Sequence, residues 1–443
     1  MNKQILRLAI PNIISNLSIP LLSMVDTALM GHLDDVYYLG AIAIGGTIFN
    51  FIYWGFGFLR MGTTGITAQA YGNKDKPAAT ATLARALLVA IAAAFVLLVL
   101  QIPIAWISFY LIEASENVEI YANSYFMIRI WAAPATLALY ALHGWFLGMQ
   151  NAKYPLYLTV FVNAINIILS YMLVFVFQMK SDGVAYGTVF AQYFGLLLAV
   201  FLLYRKYKKQ LVVNHDLLSG IKNLKAFRRF LAVNGDIFIR TLCLVFVFTY
   251  FMAKSAEFGD EILGINSILF QLWMFLAHFI DGFAFATESL VGKFIGARKE
   301  KGLRDVVKLS FIWATAIGLF IAAIYYVFAE QILFIFTNSE QLVPLALNFM
   351  GWVIIAPLIN GFCFIWDGAF IGATDSKPMR NSMIFCTIFI FMPFYFYFEP
   401  ILGNHSLWLA LSLFMVFRGI TLTLYARKRM PQWILTFHPQ AAQ

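Results

Sequence analysis

The chain has 443 residues, of which 61% are hydrophobic and 12% charged, about half the charged share of a soluble domain. With a mean hydropathy of +0.78, this composition excludes a soluble globular protein and points to a polytopic membrane protein. The net charge of +9 suggests nucleic-acid binding only until the charges are placed along the chain.

Apolar runs fall at about 5–33, 39–71, 83–112, 119–147, 157–178, 184–205, 226–253, 262–294, 305–336, 342–371, 380–400 and 404–427. At about 20 residues per crossing these predict twelve transmembrane helices. The first run exceeds a secretory h-region and no small-residue cleavage site follows it, so it is expected to be retained. The second and eighth runs are long for one straight crossing. Tilts or kinks are expected there, with Gly45, Gly46, Gly55 and Gly57 as bend points.

Placing the N-terminus in the cytoplasm puts 25 of the 31 Lys and Arg on the inside, eight of them between 205 and 229. Only Lys180 and Lys254 fall outside, where the loops carry Asp34, Asp35, Glu113, Glu116, Glu119, Glu257, Asp260 and Glu261. This bias predicts both termini inside and identifies the basic excess as an orientation signal, with no nucleic-acid partner.

The sequence repeats. LGAIAIGG…TAQAYGNKDK from Leu39 aligns without a gap to LGINSILF…VGKFIGARKE from Leu263. The offset of 224 residues pairs Gly40 with Gly264, Gly72 with Gly296, Lys74 with Arg298, Gly144 with Gly368 and Gly148 with Gly372. Each unit holds an even number of helices, so the two enter from the same side as parallel repeats. The expected organisation is an all-α membrane protein with two six-helix lobes, 1–204 and 230–443, joined by a basic cytoplasmic linker, 205–229.

The residues that draw attention are polar groups inside these runs. Asp26 lies in the first run with no Lys or Arg nearby in sequence. A charged residue inside a span costs about 2.5–3.5 kcal/mol on insertion scales, which makes it a functional candidate by default. Pro11 and Pro20 share its run, and each removes a backbone hydrogen bond and permits a bend. Asn163, Asn166 and Ser170 recur on one face of the fifth helix, and Thr188 lies in the sixth. A carboxyl among amides and hydroxyls suits a proton or a small cation; the amides and hydroxyls alone also suit helix packing.

The second half is richer in charge. Asp236 and Arg240, one turn apart, are expected to pair. Asp281, Glu288 and Asp367 follow, leaving one Arg against several acids. That excess of negative charge suits proton binding or a cationic substrate; a structural ion-pair network is the competing account. Glu288 and Asp367 lie toward the cytoplasmic ends of their helices, where snorkelling is the simple explanation, whereas Asp281 is near mid-span.

Cys243, Cys363 and Cys386 stand singly in apolar runs, and His143 and His278 are isolated, so neither disulfide nor metal chemistry is expected. There is no phosphate loop, HExxH or GxSxG. No enzyme constellation is present, and active transport would draw on an ion gradient.

PxxxxxLxxPLxxxVDTAxxGHL from Pro11, LG…TAQAYGxxD, GDIFIRTLCL at 235–244, DGFAFATESLVGKFIGAR at 281–298 and DGAFIGATDSKPMRNSM at 367–383 together resemble the multidrug and toxic compound extrusion (MATE) family, in its DinF-like branch. The resemblance covers essentially the whole chain. It implies a V-shaped bundle in a bacterial inner membrane. It also implies antiport of cationic or amphipathic small molecules against H⁺ or Na⁺, with membrane lipids as the other partners, a monomeric state and no cofactor beyond the coupling ion. The family's first-helix acid falls on Asp26, its bending proline on Pro11 and its fifth-helix Asn on Asn166. Its second-lobe acids fall more loosely on Asp236 and Asp367. Many relatives carry an Asp one turn after that Asn, where this chain has Ser170. Losing one of two carboxylates favours H⁺ over Na⁺. A lipid-linked or polysaccharide flippase of the same superfamily is the alternative within transport, and an integral-membrane enzyme the alternative outside it.

Overall fold

The computed structural model describes residues 1–31, 36–112, 114–211, 223–337, 339 and 341–435. Asp34, Asp35, Glu113 and residues 212–222 of the basic linker lie outside the described residues. Within them, twelve helices are long and apolar enough to cross a membrane. They are span 1 (Asn2–Thr27), span 2 (Tyr37–Gly72), span 3 (Lys76–Val99), span 4 (Glu116–Gly148), span 5 (Lys153–Val176), span 6 (Lys180–Tyr207), span 7 (Leu224–Glu257), span 8 (Asp260–Gly296), span 9 (Glu300–Val327), span 10 (Leu342–Ala373), span 11 (Lys377–Leu402) and span 12 (His405–Leu435). Helix is the form such segments must take, because in hydrocarbon each backbone N–H and C=O has to bond within its own segment.

The third and ninth apolar runs each divide into a crossing and a shorter helix, Gln101–Leu111 after span 3 and Ala329–Phe336 after span 9. Span 2 breaks at Gly55–Gly57, where Val36–Gly55 gives way to Phe58–Gly72. Gly45 and Gly46 stay helical, and Gly45 packs closely against the Tyr125 ring. Span 8 is one helix of 37 residues, about 55 Å long at 1.5 Å per residue, well beyond a hydrocarbon core of about 30 Å. Helix continues through both Pro11 and Pro20 in span 1.

The repeat appears in the backbone as well as the sequence. Spans 2, 4, 8 and 10 end in the same turn, with left-handed φ at Lys74 (58°), Gln150 (61°), Arg298 (53°) and Thr374 (55°). In each, the next N–H reaches back to a carbonyl of the helix: Asp75 to Ala70, Asn151 to Phe146, Lys299 to Phe294 and Asp375 to Phe370, at 2.9–3.0 Å. Such turns satisfy carbonyls left over at a helix end. All the pairs keep the 224-residue offset, so the two halves are copies of one chain path. Span 3 then starts with the Asp75 side chain capping the Ala78 N–H at 2.9 Å.

The two halves meet along a seam at the end of the bundle that carries Lys74 and Arg298, called here the basic end. A Cβ on Gly72 would lie 2.0 Å from the Lys293 carbonyl oxygen, and one on Gly296 would lie 2.0 Å from that of Gln69. Gln69 Nε2 donates to the Gly372 carbonyl at 3.0 Å, and Ser289 Oγ to that of Leu147 at 2.6 Å. One apolar cluster draws on both halves, including Ile5, Leu8 and Leu147 with Ile237, Leu290 and Phe370. Two other large apolar clusters each lie within a single half.

Candidate functional site

In the first half, Asp26 is half-buried on span 1. Its Oδ1 is buried and has no hydrogen-bond partner. The cation acting on it is Arg129 of span 4. Arg129 is itself turned onto aromatic groups, donating to Tyr125 Oη at 2.5 Å and lying 4.8 Å from the Phe49 ring centre. Nearby spans supply amides and hydroxyls. Asn166 Nδ2 donates to Thr188 Oγ1 at 2.9 Å, and Thr188 donates to the Val184 carbonyl at 2.9 Å. Asn166 Oδ1 and Ser170 Oγ are buried without partners. Asn166, Ser170 and Thr188 therefore do converge between spans 5 and 6. Asn163 does not join them: its Nδ2 donates to the Ser18 carbonyl at 3.0 Å and ties span 5 to span 1.

In the second half the expected Asp236–Arg240 pair does not form. Asp236 accepts from Arg380 Nη1 in the first turn of span 11 at 2.6 Å and from Ser376 Oγ just before it at 2.7 Å. Arg240 instead reaches Asp367 of span 10, which also accepts from Arg418 of span 12. A helical turn places Asp236 and Arg240 within reach of each other, but each finds a partner on a neighbouring helix that satisfies it better. Snorkelling fails as an account of Glu288 and Asp367, since they are only 1% and 5% exposed. Asp281 is half-buried, with Arg240, Arg60 and Arg418 and the Asp367 carboxylate as its charged surroundings.

Nor is there an excess of negative charge. Arg60 of span 2 crosses the seam to Glu288 of span 8, with Nη1 3.6 Å from Oε2, and its guanidinium lies 3.8 Å from the Phe285 ring centre. Counting Arg60, Arg240, Arg380 and Arg418 against Asp236, Asp281, Glu288 and Asp367, the charges balance. Reading helices one at a time missed Arg60, Arg129, Arg380 and Arg418 as partners. The available signal was that Arg60, Arg129 and Arg418 lie within or beside apolar runs, where an uncompensated cation is as costly as an acid. Among the described residues no cluster of His, Cys, Asp and Glu is arranged to hold a metal ion, and the three cysteines are free.

The geometry is that of a membrane-embedded polar centre split between two repeats, with Asp26 and Asp281 outside the ion pairs. Comparison with known proteins identifies the family. The MatE family model matches residues 11–172 and 237–396, which are the two repeats in turn. The chain is 38% identical over 432 residues to DNA damage-inducible protein F of Escherichia coli K12, covering 96% of this chain and 92% of that one. It is 21% identical over 386 residues to the probable multidrug resistance protein NorM of Photorhabdus laumondii, covering 86% and 84%. In fold it resembles a crystal structure of MATE in the straight conformation, with a TM-score of 0.88 at 19% identity over 98% of this chain and 97% of the other. The helices, the duplicated path and these matches together make this chain a multi-pass membrane protein of the MatE family, a family of transporters and not of enzymes.

Proposed function

We infer that the protein exports cationic or amphipathic small molecules in exchange for H⁺ by alternating access, with Asp26 as the proton site. The observation that carries this reading is the contrast among the embedded acids. Asp236 and Glu288 each have an Arg within 4 Å, and Asp367 has two. Asp26 and Asp281 have no such contact among the described residues, but Asp281 lies among Arg240, Arg60 and Arg418, whereas Asp26 has Arg129 alone and one of its oxygens is buried without a partner. A carboxylate left in that condition is costly, and taking up a proton relieves the cost. In the cycle we envisage, protonation of Asp26 rearranges span 1 at Pro11 and Pro20 and lowers drug affinity. Opening to the other side then releases the proton and reloads the substrate. The multidrug name of the NorM relative supports the substrate class.

The rest of the setting belongs to the same proposal. The lobes are 1–204 and 230–443, joined by 205–229. The basic end faces the cytoplasm with both termini, and a monomer works in a bacterial inner membrane in contact with its lipids. Na⁺ is the second reading, because Asn166 Oδ1 and Ser170 Oγ are both buried oxygens without partners. The deciding experiment is ethidium efflux from proteoliposomes under an imposed pH gradient without Na⁺, for wild type and Asp26→Asn. Efflux that needs the gradient and vanishes in the variant is the expected result. Efflux only with Na⁺ selects the second reading, and no efflux under either gradient moves the weight to a flippase.

A further inference from the structure

We propose that Arg60 and Glu288 form a charge latch between the two repeats that sets how readily the basic end opens. The proposal rests on the alternating-access reading above.

Three observations lead to it. First, the pair belongs to no single lobe: Arg60 comes from span 2, Glu288 from span 8, and Nη1 and Oε2 are 3.6 Å apart. Second, the pair sits at the deep end of the close-packed seam. Twelve residues of continuous helix separate Arg60 from Gly72, about 18 Å along the axis, so the latch lies near mid-membrane with the closed seam between it and the basic end. Third, it breaks the symmetry of the duplication. The repeat mate of Glu288 is Thr64 and that of Arg60 is Ala284. Thr64 lies beside the Glu288 carboxylate and donates to the Arg60 carbonyl at 2.8 Å. The two spans thus face each other with matching positions in contact, and only one of the two equivalent corners carries charge.

The pairing is unusual in how it is held. Arg60 Nη1 and Nη2 and Glu288 Oε1 are buried and make no hydrogen bond. Attraction between the charges and the face of the Phe285 ring hold the guanidinium in place. A buried pair of this kind gains from its mutual attraction about what it loses in hydration. Opening the seam would separate the charges but return both to water. Intact, the pair favours neither state strongly, which suits a protein that must visit both. With one partner neutralised, the other charge is left buried without its partner, and opening relieves it by hydration. With both neutralised, the reason to open disappears.

The test is cysteine accessibility in the full-length protein, in lipid nanodiscs, with Cys243, Cys363 and Cys386 replaced by Ser. The reporter is Ser289→Cys, a near-isosteric change at a fully buried position that contacts Leu147 and Gln150 of the first half. Maleimide labelling is expected to be at least tenfold faster in Arg60→Met and in Glu288→Gln, and to return to the parental rate in the double variant. Single variants that label at the parental rate, or a double variant as fast as the singles, would overturn the proposal. If the single variants do not yield folded protein, Arg60→Glu with Glu288→Arg carries the test: a parental rate supports the latch and a fast rate refutes it. Labelling needs neither an ion gradient nor a drug, so a failure of the efflux reading leaves this measurement independent.

Discussion

Gly72 and Gly296, which are repeat equivalents, each pack against the main chain of the other's helix. A Cβ on either would come within 2.0 Å of a carbonyl oxygen across the seam. Alanine at Gly72 must therefore push spans 2 and 8 apart. Overpacking of this kind costs about 1–3 kcal/mol, and the melting temperature of the purified protein is expected to fall. Gly46→Ala is the control, because a Cβ there meets nothing within 4 Å and alanine is the better helix former by about 1 kcal/mol. A Gly72→Ala protein as stable as the Gly46→Ala protein would contradict the close crossing.

Asp26→Asn should leave the protein folded and abolish gradient-driven efflux. The side chain is half-buried and forms no ion pair with an Arg among the described residues, so the amide disturbs little. Unimpaired ethidium efflux in this variant would remove Asp26 from the mechanism.

Asp367→Asn should behave in the opposite way, with stability lost first. It leaves Arg240 and Arg418, both buried, without the carboxylate they share. Breaking one side of a buried ion pair costs about 3–5 kcal/mol. A large drop in melting temperature is expected, in contrast to Asp26→Asn. Equal melting temperatures for the two would show that the cluster is not structural.

Arg380, and not Arg240, should be energetically coupled to Asp236. The Arg380 side chain is 30% exposed and that of Asp236 8%, so solvent screening reduces the pair to about 1 kcal/mol. A double-mutant cycle of Asp236→Asn with Arg380→Gln should return coupling of that order. The same cycle with Arg240→Gln should return almost none. The reverse pattern would restore the pairing suggested by sequence spacing.

Ser170→Asp should confer Na⁺-responsive efflux. It supplies a second carboxylate beside Asn166 and Thr188, where hard oxygen ligands suit a small cation. Ethidium efflux by the variant is expected to rise when an Na⁺ gradient is imposed. A variant that folds yet ignores Na⁺ would mean that Ser170 is not the residue that distinguishes H⁺ from Na⁺ coupling in this chain.

The residues that sequence reading placed well are those whose partners lie along one helix or at a fixed repeat offset. Ser170 shares a helix face with Asn166; Asn166 bonds to Thr188 of span 6, and Ser170 packs against the neighbouring Gly187. The break at Gly55–Gly57 follows from local glycine content. Asp236 was assigned the wrong Arg because spacing shows only which side chains lie on one face. It does not show which neighbouring helix brings a better-placed donor. Asn163 was grouped with Asn166 for the same reason, although its partner is on span 1.

What the chain determines by itself is the number of crossings, the duplication and the class of protein. These follow from hydropathy, from the gapless offset and from motifs, all of which are written along one dimension. The charge balance was decided only by the tertiary structure. Arg60, Arg380 and Arg418 neutralise acids 228, 144 and 51 residues away in the chain. Inside a membrane a lone charge is costly enough that its partner dictates its role. Packing between helices therefore decided which acids are neutralised, and among the described residues Asp26 keeps a buried oxygen with neither an ion pair nor a hydrogen bond.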